Sequence, residues 1–375
     1  MKTKIAFVIP NLLTGGTQRA LVNIAQSLST EDFEVALIVI HSATKKYGDL
    51  DTKRIPIDRD CLRVIYLDLN GVKWSIFKLR SLLMKEKPDI LFSSLSYLNL
   101  YLSFFSFLLP KGIKLVIRET NVLSVKHSFT KYPRFINFIY KIGYKFAQII
   151  VCQSNDMMED LHKNFGIQKS KMKVINNPVN SEKIIKDSEI ANIRFIKSDN
   201  INLVSVGHLT NQKGHDISIK AIKILKNENI ILNILGRGPL RDYLEGLAED
   251  LGVSNQIVFH GFQKNPFNYI YKSDIFIFPS RFEGFPNALL EAAVVGIPMI
   301  ANNSKGGINE IINSKNGVIF DNSSEDLAKK INTIMQNEYN RESIRSDAIM
   351  RFDISFIGKK YTYFFKEIIR ATKKS

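Results

Sequence analysis

The sequence predicts an α/β protein made of two doubly wound domains. Short apolar runs alternate with helical patterns in two series, and a Pro- and Asn-containing stretch at 174–183 separates the series. The runs are continuous, as is typical of parallel strands buried on both faces. With 375 residues, 45% of them hydrophobic, the chain can bury two cores. We therefore expect two parallel sheets, each flanked by helices.

The apolar runs define the predicted strands. The first series lies at 4–10, 34–41, 63–68, 89–95, 114–119 and 148–154, and the second at 201–207, 230–236, 256–261, 274–279 and 298–303. We place the domains at 1–180 and 181–352. Ligands of such folds bind at the carboxyl ends of the strands, so the loops that follow the strands are expected to carry the function.

Charge and cysteine content narrow the class of protein. The net charge is +16, and residues 1–180 hold 26 Lys and Arg against 14 Asp and Glu. This basic half suggests an anionic partner, which could be a phospholipid surface, a phosphorylated substrate or nucleic acid; compositional bias alone is the alternative.

Two cysteines, Cys61 and Cys152, cannot build a disulfide framework or a zinc cluster. A reducing compartment is favoured.

No segment predicts a membrane span. The apolar stretch at 97–109 is too short and too polar to cross a bilayer. The N-terminal run could imitate a signal peptide, but it fits a first buried strand better, since no small-residue cleavage site follows. We expect a cytoplasmic protein.

The most informative motif is SRFEGFPNALLEAAVVGIP at 280–298. It places Glu283 and Glu291, with seven residues between them, around the start of a helix that follows a strand. Pro286 suits the first helical position, and Gly296 reads as the end of the helix. A helix N-terminus binds anions, and carboxylates beside it suit sugar hydroxyls. The motif predicts a site for a sugar phosphate.

Three other loops follow strands and carry suitable groups. Gly15 and Gly16 would let the backbone approach a phosphate closely. The loop at 206–216 offers His208 and Lys213, and Arg237 lies between two glycines at 235–250. A plain turn or a solvated side chain is an equally good reading of each loop alone.

Together these motifs resemble the retaining glycosyltransferases of family GT4. The resemblance covers almost the whole chain through TGGTQRALVNIA, VGHLTNQKG, LGRGPL, HGFQKN, FEGFPNALLEAAVVGIP and FDISFIGKKYTYFFKEII. It implies the GT-B fold, in which two Rossmann-like domains face each other across a cleft. Residues 1–180 would then bind the acceptor, 181–352 the nucleotide sugar, and the helix at 353–375 would pack back on the N-terminal domain.

The resemblance also implies roles for single residues. Glu283 would contact the hydroxyls of the donor sugar, Glu291 the ribose, and Phe262 and Gln263 the uracil. Glu283 and Lys213 are the implied catalytic residues. The full donor set is Gly15, Gly16, Gly207, His208, Lys213, Arg237, Phe262, Gln263, Glu283, Gly284, Phe285, Asn287, Leu290 and Glu291.

Two departures from the family pattern concern the diphosphate and the acceptor. His208 occupies the position of a common arginine, so stabilisation of the diphosphate would rest mainly on Lys213 or would vary with pH. At RETN (118–121) some relatives carry a histidine that meets the acceptor. Arg118, Glu119, Asn121 and His127 are the acceptor candidates, and their roles stay open. His127 is a lone loop histidine, and the alternative is that it has a structural role or is simply solvated.

The resemblance implies retention without a metal ion or other cofactor. No carboxylate is obviously placed as a nucleophile, so attack on the face of departure is favoured, with the leaving phosphate taking the acceptor proton. Asp49-Leu50-Asp51 and Asp58-Arg59-Asp60 fit a metal-binding Asp-x-Asp pattern, but both lie before a strand. A UDP-sugar 2-epimerase is the closest rival. A pyridoxal-phosphate phosphorylase and a basic nucleic-acid-binding protein are weaker ones, and we expect no nucleic-acid partner.

A basic helix suggests how the acceptor is presented. In PRFINFIYKIGYKFA (133–147), Arg134, Asn137, Lys141 and Lys145 recur at helical spacing. The remaining faces hold Phe135, Phe138, Ile139, Ile142 and Phe146, with Tyr140 and Tyr144 beside the stripe. Such a helix could rest on an anionic inner membrane leaflet. It could equally pack its apolar side on the sheet and leave the stripe solvated.

The expected activity follows from the resemblance and the basic helix. It is transfer of a hexose or N-acetylhexosamine from a UDP-sugar to a saccharide acceptor, such as one linked to polyprenyl diphosphate. The pathway would be assembly of lipopolysaccharide, capsule or another glycan.

Overall fold

The chain divides into two compact units. The computed structural model describes residues 2–12, 16–28, 30–41, 57, 62–69, 71–190 and 200–374. The N-terminal unit comprises Met1–Pro178 together with Ile354–Ser375, and the C-terminal unit comprises Val179–Asp353. The last helix of the chain thus belongs to the N-terminal unit.

The N-terminal unit is built on a parallel sheet. Its strands are β1 (Thr3–Ile9), β2 (Phe33–Val39), β3 (Arg63–Tyr66), β4 (Ile90–Ser94), β5 (Lys114–Arg118), β6 (Ile149–Cys152) and β7 (Met172–Val174), in the spatial order β3-β2-β1-β4-β5-β6-β7. Its helices are α1 (Gly16–Ser27), α2 (Ser75–Glu86), α3 (Ser96–Phe104), α4 (Leu123–Ser128), α5 (Pro133–Gly143), α6 (Asn155–Phe165) and α15 (Ile354–Lys374). Short 3₁₀ turns lie at Ser106–Leu108, Tyr144–Phe146 and Lys169–Lys171.

Helix α15 covers part of this sheet with aromatic rings. Phe7 of β1 and Phe92 of β4 are fully buried, with ring centroids 5.0 Å apart. The ring of Phe365 lies 5.6 Å from that of Phe92, and Tyr361 packs on both. Edge-to-face ring packing of this kind adds to the free energy gained from burial alone. The aromatic residues of the final motif thus hold α15 in the core of the N-terminal unit.

The C-terminal unit repeats the plan with six strands. They are β8 (Ile201–Val206), β9 (Ile230–Leu235), β10 (Ile257–Gly261), β11 (Ile275–Phe278), β12 (Met299–Asn302) and β13 (Gly317–Phe320), in the order β10-β9-β8-β11-β12-β13. The helices are α7 (Ser181–Ser188), α8 (His215–Leu225), α9 (Arg241–Asp250), α10 (Phe267–Lys272), α11 (Asn287–Val295), α12 (Ile308–Ile311), α13 (Ser324–Met335) and α14 (Arg341–Phe352). The 3₁₀ turns are Asn211–Lys213 and Ser254–Gln256.

These sheet orders confirm the predicted doubly wound α/β class. Each of the eleven predicted apolar runs overlaps an observed strand. Strands β7 and β13 were not predicted. They are three and four residues long, too short to leave the longer apolar run by which the other strands were predicted. Among the described residues, no helix is long and apolar enough to cross a membrane.

Candidate functional site

The candidate site lies where the strand order of the C-terminal unit reverses. Strands β8 and β11 are neighbours, and the chain continues from β8 toward one edge of the sheet and from β11 toward the other. The loops after these strands therefore diverge and leave a crevice, the usual ligand position in doubly wound folds. The loop after β8 is 207–214, and the loop after β11 is 279–286. Both are loops that the sequence singled out.

Hydrogen bonds hold these two loops together. The Arg281 amide donates to the carbonyl of Gln212 over 2.8 Å, and the Gln212 side chain donates to the Phe282 carbonyl over 3.0 Å. The Arg281 guanidinium donates to both carboxylate oxygens of Asp216, over 2.9 and 2.7 Å. Burial raises the pKa of Asp216, but the Arg281 bonds outweigh it, so the pKa lies below its usual value. Sequence reasoning missed this pair, although both residues stand in motifs it quoted.

The two predicted catalytic residues meet in this crevice. Nζ of Lys213 lies 2.5 Å from Oε1 of Glu283, and it lies 5.6 Å from the ring centroid of Phe278. The side chains are 21% and 12% exposed, so this ion pair is mostly shielded yet reachable from solvent. The structure therefore brings together a cation suited to a phosphate and a carboxylate suited to sugar hydroxyls.

Glycines let two further backbone segments approach the crevice closely. Gly236 has φ +151°, and a Cβ there would lie 1.8 Å from the carbonyl oxygen of Gly207. Gly306 has φ +135°, and a Cβ there would lie 2.6 Å from the carbonyl oxygen of Glu283. Any larger residue would displace the backbone of the crevice itself. The segment after β9 thus supports the loop after β8, and the segment after β12 supports the loop after β11.

The predicted nucleotide contacts cluster beside Gly236. The Arg237 guanidinium lies 5.3 Å from the ring centroid of the exposed Phe262, and Nδ1 of His208 lies 3.3 Å from the Arg237 carbonyl oxygen. The Gln263 side chain donates to the carbonyl of His260 over 2.7 Å. An exposed aromatic ring next to a guanidinium can stack a planar base.

Helix α11 carries the second acidic residue. It begins at Asn287, so Pro286 precedes the first helical position instead of occupying it as predicted. Gly296, with φ +88°, ends the helix as predicted. Asn287 and Glu291 are half-buried in the first and second turns, whereas Gly284, Phe285 and Leu290 are buried.

The acceptor candidate Glu119 is fully buried in the N-terminal unit. The Glu119 carboxylate accepts from the Ser96 hydroxyl over 2.7 Å, from the Tyr144 hydroxyl over 2.5 Å, and from the amides of Thr120 and Asn121 over 2.7 and 3.1 Å. Burial and this carboxylate raise the pKa of Tyr144. Glu119 therefore fixes the backbone after β5.

Arg118 and His127 are also enclosed. The fully buried Arg118 guanidinium donates to the Ser94 hydroxyl over 3.3 Å and to the Asn177 side chain. His127 lies in α4 and not in a loop as expected, and its Nδ1 lies 2.6 Å from Oδ1 of Asn137. Burial lowers the pKa of His127, and the opposing hydrogen bond with Asn137 does not offset it. Of the four candidates, only the half-buried Asn121 presents appreciable surface.

The basic helix does not pack its apolar side on the sheet, which was one of the two expectations for it. Arg134, Lys141 and Lys145 are exposed, but so are Phe135, Phe138 and Phe146. Tyr140 and Tyr144 are buried instead, and Asn137 turns inward to His127. The phenylalanines thus do not pack on the sheet, and they share the outer surface with the basic groups.

The N-terminal glycine loop is only partly described. Gly16 begins α1 and is exposed. Gly15 lies outside the described residues, as do the two Asp-x-Asp matches at 49–51 and 58–60.

Two doubly wound units, one of them with a Lys-Glu pair at its switch point, are the architecture of GT-B glycosyltransferases. The family models agree. Residues 14–183 match "Glycosyltransferase Family 4", and residues 186–351 match "Glycosyl transferases group 1". The chain belongs to the GT4-like glycosyltransferases, as the motifs indicated. It is an enzyme, and the hexosyltransferase class is the one that the family supports.

Named relatives and a solved structure extend this result. The chain is 26% identical to a Campylobacter jejuni protein named N-acetylgalactosamine-N,N'-diacetylbacillosaminyl-diphospho-undecaprenol 4-alpha-N-acetylgalactosaminyltransferase, over 93% of this chain and 94% of that one. It is 26% identical to an Escherichia coli UDP-Gal:alpha-D-GlcNAc-diphosphoundecaprenol alpha-1,3-galactosyltransferase, over 89% and 88%. Anabaena HepE, solved in complex with UDP, matches at a TM-score of 0.77 and 20% identity, over 98% and 100%. The GT-B fold is confirmed.

Proposed function

We propose that the protein transfers a hexose or N-acetylhexosamine from a UDP-sugar to a lipid-linked saccharide, with retention of configuration. The observation that carries this proposal is the contact between Lys213 and Glu283 at the carboxyl ends of β8 and β11. A phosphate-binding cation and a sugar-binding carboxylate touch at the switch point of a doubly wound sheet. In a donor that has a diphosphate joined to a sugar, the phosphate and the sugar hydroxyls are only a few bonds apart, so the groups that bind them must lie close together.

The C-terminal unit offers a place for each part of a UDP-sugar. The base would stack on Phe262, beside Arg237, and the ribose would bind Glu291. The diphosphate would lie against Lys213 and the first turn of α11, where the helix dipole favours negative charge. Support for UDP comes from HepE, solved with UDP, and from the Escherichia coli relative named for UDP-Gal.

The chemistry follows from the position of the charge. The bond between the anomeric carbon and the β-phosphate oxygen breaks, and Lys213 meets the negative charge that develops on that oxygen. The new bond to the acceptor oxygen forms on the same face of the sugar. The proton of the acceptor hydroxyl passes to the leaving phosphate, which becomes the released UDP. Glu283 orients the Lys213 ammonium and holds the sugar hydroxyls.

We also propose that transfer needs no metal ion, because Lys213 supplies the positive charge at the leaving group. Activity should survive EDTA and should not rise with manganese. Loss of activity in EDTA that manganese restores would show that the charge at the diphosphate comes from a metal.

The acceptor is proposed to bind the N-terminal unit at a membrane surface. The Campylobacter jejuni and Escherichia coli relatives carry undecaprenol-diphosphate acceptors in their names. Helix α5 combines exposed Phe135 and Phe138 with Lys141, a pairing typical of helices that rest in the headgroup zone of anionic lipid. The enzyme would then work at the cytoplasmic face of the cell membrane.

A donor screen tests the activity. UDP, GDP or ADP release is measured for a panel of nucleotide sugars with a polyprenyl-diphosphate saccharide mixture, and the anomeric configuration of the product is read by NMR. Release of UDP with an α-linked product from an α-linked donor is the expected result. An epimerised UDP-sugar formed without an acceptor would mean a 2-epimerase instead.

Liposome binding tests the membrane contact. The wild-type protein should co-sediment with anionic vesicles and detach as salt rises, since the screening length falls to about 8 Å at physiological ionic strength. Lys141→Glu with Lys145→Glu should abolish binding and leave UDP affinity intact. The control variant changes Lys315 and Lys329 to Glu, two exposed lysines of the C-terminal unit, with the same change in net charge. If both double variants lose liposome binding equally, the binding depends on net charge alone and not on α5.

A further inference from the structure

Helix α3 has an aromatic outer side, whereas its buried side mixes polar residues with Leu98 and Leu102. Ser96, Asn99 and Ser103 are buried, because the first two bond Glu119 and the Arg118 carbonyl. The opposite side of the helix carries Tyr97, Leu100, Tyr101 and Phe104, at intervals of three and four residues. These side chains are exposed or half-buried. The exposed side of a surface helix is normally polar, and on α3 this side is aromatic and apolar instead.

This outer side forms an apolar groove, which we call the α3 groove. Its volume is about 490 Å³, and its lining consists of Tyr97, Leu100, Tyr101, Phe104 and Phe105. Sites for small ligands range over about 300–1,000 Å³ and are mostly apolar. The α3 groove has the size and lining of a ligand site, and all of its lining residues belong to the N-terminal unit.

Exposed aromatic rings continue from the α3 groove on neighbouring elements. The Tyr101 hydroxyl donates to the Lys73 carbonyl over 2.8 Å, next to Trp74, whose ring stacks on that of Phe77. The rings of Phe104 and Phe146 lie 6.3 Å apart, which joins the groove to the turn after α5. Trp74, Phe77 and Phe146 are exposed. Apolar exposure on this scale marks an interaction surface.

The segment of the chain that contains the α3 groove is strongly basic. Residues 71–147 hold 13 Lys and Arg against 3 Asp and Glu. Of the three acids, Glu119 is buried, Glu86 pairs with Arg63, and Asp89 accepts from the Lys4 amide over 2.8 Å. Two of the cations belong to residues next to the groove. The backbone carbonyl of Lys73 accepts from the Tyr101 hydroxyl, and Lys145 directly precedes Phe146, whose ring lies beside that of Phe104. The surface is complementary to an apolar chain that carries an anionic group.

We propose that the α3 groove binds the isoprenoid chain of the acceptor, next to its diphosphate. This rests on the proposed function, in which the acceptor is a polyprenyl-diphosphate saccharide. The lining residues supply apolar and aromatic contacts that suit a branched hydrocarbon, and Lys73 and Lys145 supply charge for the diphosphate. The donor residues of the C-terminal unit take no part in this contact.

Trp74 makes the proposal directly testable, because it is the only tryptophan of the chain and stands beside the groove. The full-length protein is titrated with farnesyl diphosphate, kept below its micellar concentration, and separately with ethyl diphosphate. Tryptophan fluorescence and calorimetry give the two affinities. Each buried methylene strengthens binding roughly fourfold, so even partial burial of the farnesyl chain should give at least a tenfold preference over ethyl diphosphate.

Two variants and one matched control locate the binding. Tyr97→Asp and Leu100→Asp should reduce the farnesyl preference to threefold or less and leave UDP affinity within twofold of wild type. Tyr243→Asp makes the same change at a tyrosine of α9 that is 55% exposed, against 51% for Tyr97, and should keep the preference. A far-ultraviolet dichroism spectrum for each variant verifies the fold.

Several results would overturn the proposal. A farnesyl preference below threefold in the wild type, or one that survives in both groove variants, would mean that the chain does not bind there. Loss of a dimer or of liposome binding in the groove variants, with farnesyl affinity unchanged, would assign the surface to a second copy or to the bilayer. Because no sugar transfer is measured, failure here is distinct from failure of the proposed activity, which the donor screen decides.

Discussion

Replacement of Gly236 by alanine tests the geometry of the crevice most directly. The new Cβ would lie 1.8 Å from the Gly207 carbonyl oxygen, which is backbone and cannot rotate away. The residue would also keep φ near +151°, a conformation that side-chain-bearing residues rarely adopt. Gly207 would have to move, and with it the start of the loop that carries His208 and Lys213.

The expected loss of stability follows from two terms. Backbone strain of this kind costs about 1–3 kcal/mol, and overpacking of a filled site costs about 1–3 kcal/mol more. For a unit of this size, each kcal/mol lowers the melting temperature by about 2–4 °C. We therefore expect Gly236→Ala to lower the melting temperature of the C-terminal unit by roughly 5–20 °C and to weaken UDP binding at least tenfold.

The assay is differential scanning calorimetry with and without UDP. The transition that UDP raises belongs to the nucleotide-binding unit, since a ligand stabilises the folded form that binds it. Gly246→Ala is the matched control, because Gly246 lies inside α9 and a Cβ there meets nothing within 4 Å. That change should stabilise by about 0.5–1 kcal/mol through helix propensity. Similar melting temperatures and UDP affinities for the two variants would refute the close approach at Gly236.

Three further outcomes are expected. Glu291→Ala should weaken UDP binding roughly ten- to a hundredfold, while Glu283→Ala should mainly lower turnover; wild-type kinetics in both would contradict their roles. His208→Arg should bind UDP more tightly at pH 8 by calorimetry, because it adds a fixed charge, and an unchanged affinity would exclude His208 from the diphosphate site. Burial, helped by the charge of Lys213, lowers the pKa of His215 to about 4. The unfolded chain therefore binds a proton first as the pH falls below about 6.5, and the free energy of unfolding drops by up to about 1.4 kcal/mol per pH unit. Urea denaturation should show a flatter acid slope for His215→Gln, and parallel curves would argue against a neutral buried imidazole.

Much of the fold could be predicted because burial leaves a local mark on a sequence. A strand covered on both faces must be apolar throughout, so the central strands could be predicted from their apolar runs. Strands β7 and β13 were missed because they are only three and four residues long. The two loops of the crevice could also be predicted, since they follow β8 and β11. The contact between Lys213 and Glu283, however, joins residues 70 positions apart in the chain. The sequence predicted that Lys213 and Glu283 are both functional. That they form an ion pair follows only from the pairing of β8 with β11 in the sheet.

The N-terminal unit shows what only the tertiary structure decided. Hydrophobicity predicts that the phenylalanines of α5 face the core, yet Tyr144 is buried and Phe138 is exposed. The reason is Glu119, a buried carboxylate that needs a hydroxyl donor, which Tyr144 supplies and phenylalanine cannot. The sequence by itself determined the fold class and the family, and it predicted residues for a sugar-nucleotide site. Only the tertiary structure decided which side chains are exposed. A buried charge needs hydrogen-bond partners from distant segments, and this need outweighs the hydrophobic pattern of a single helix.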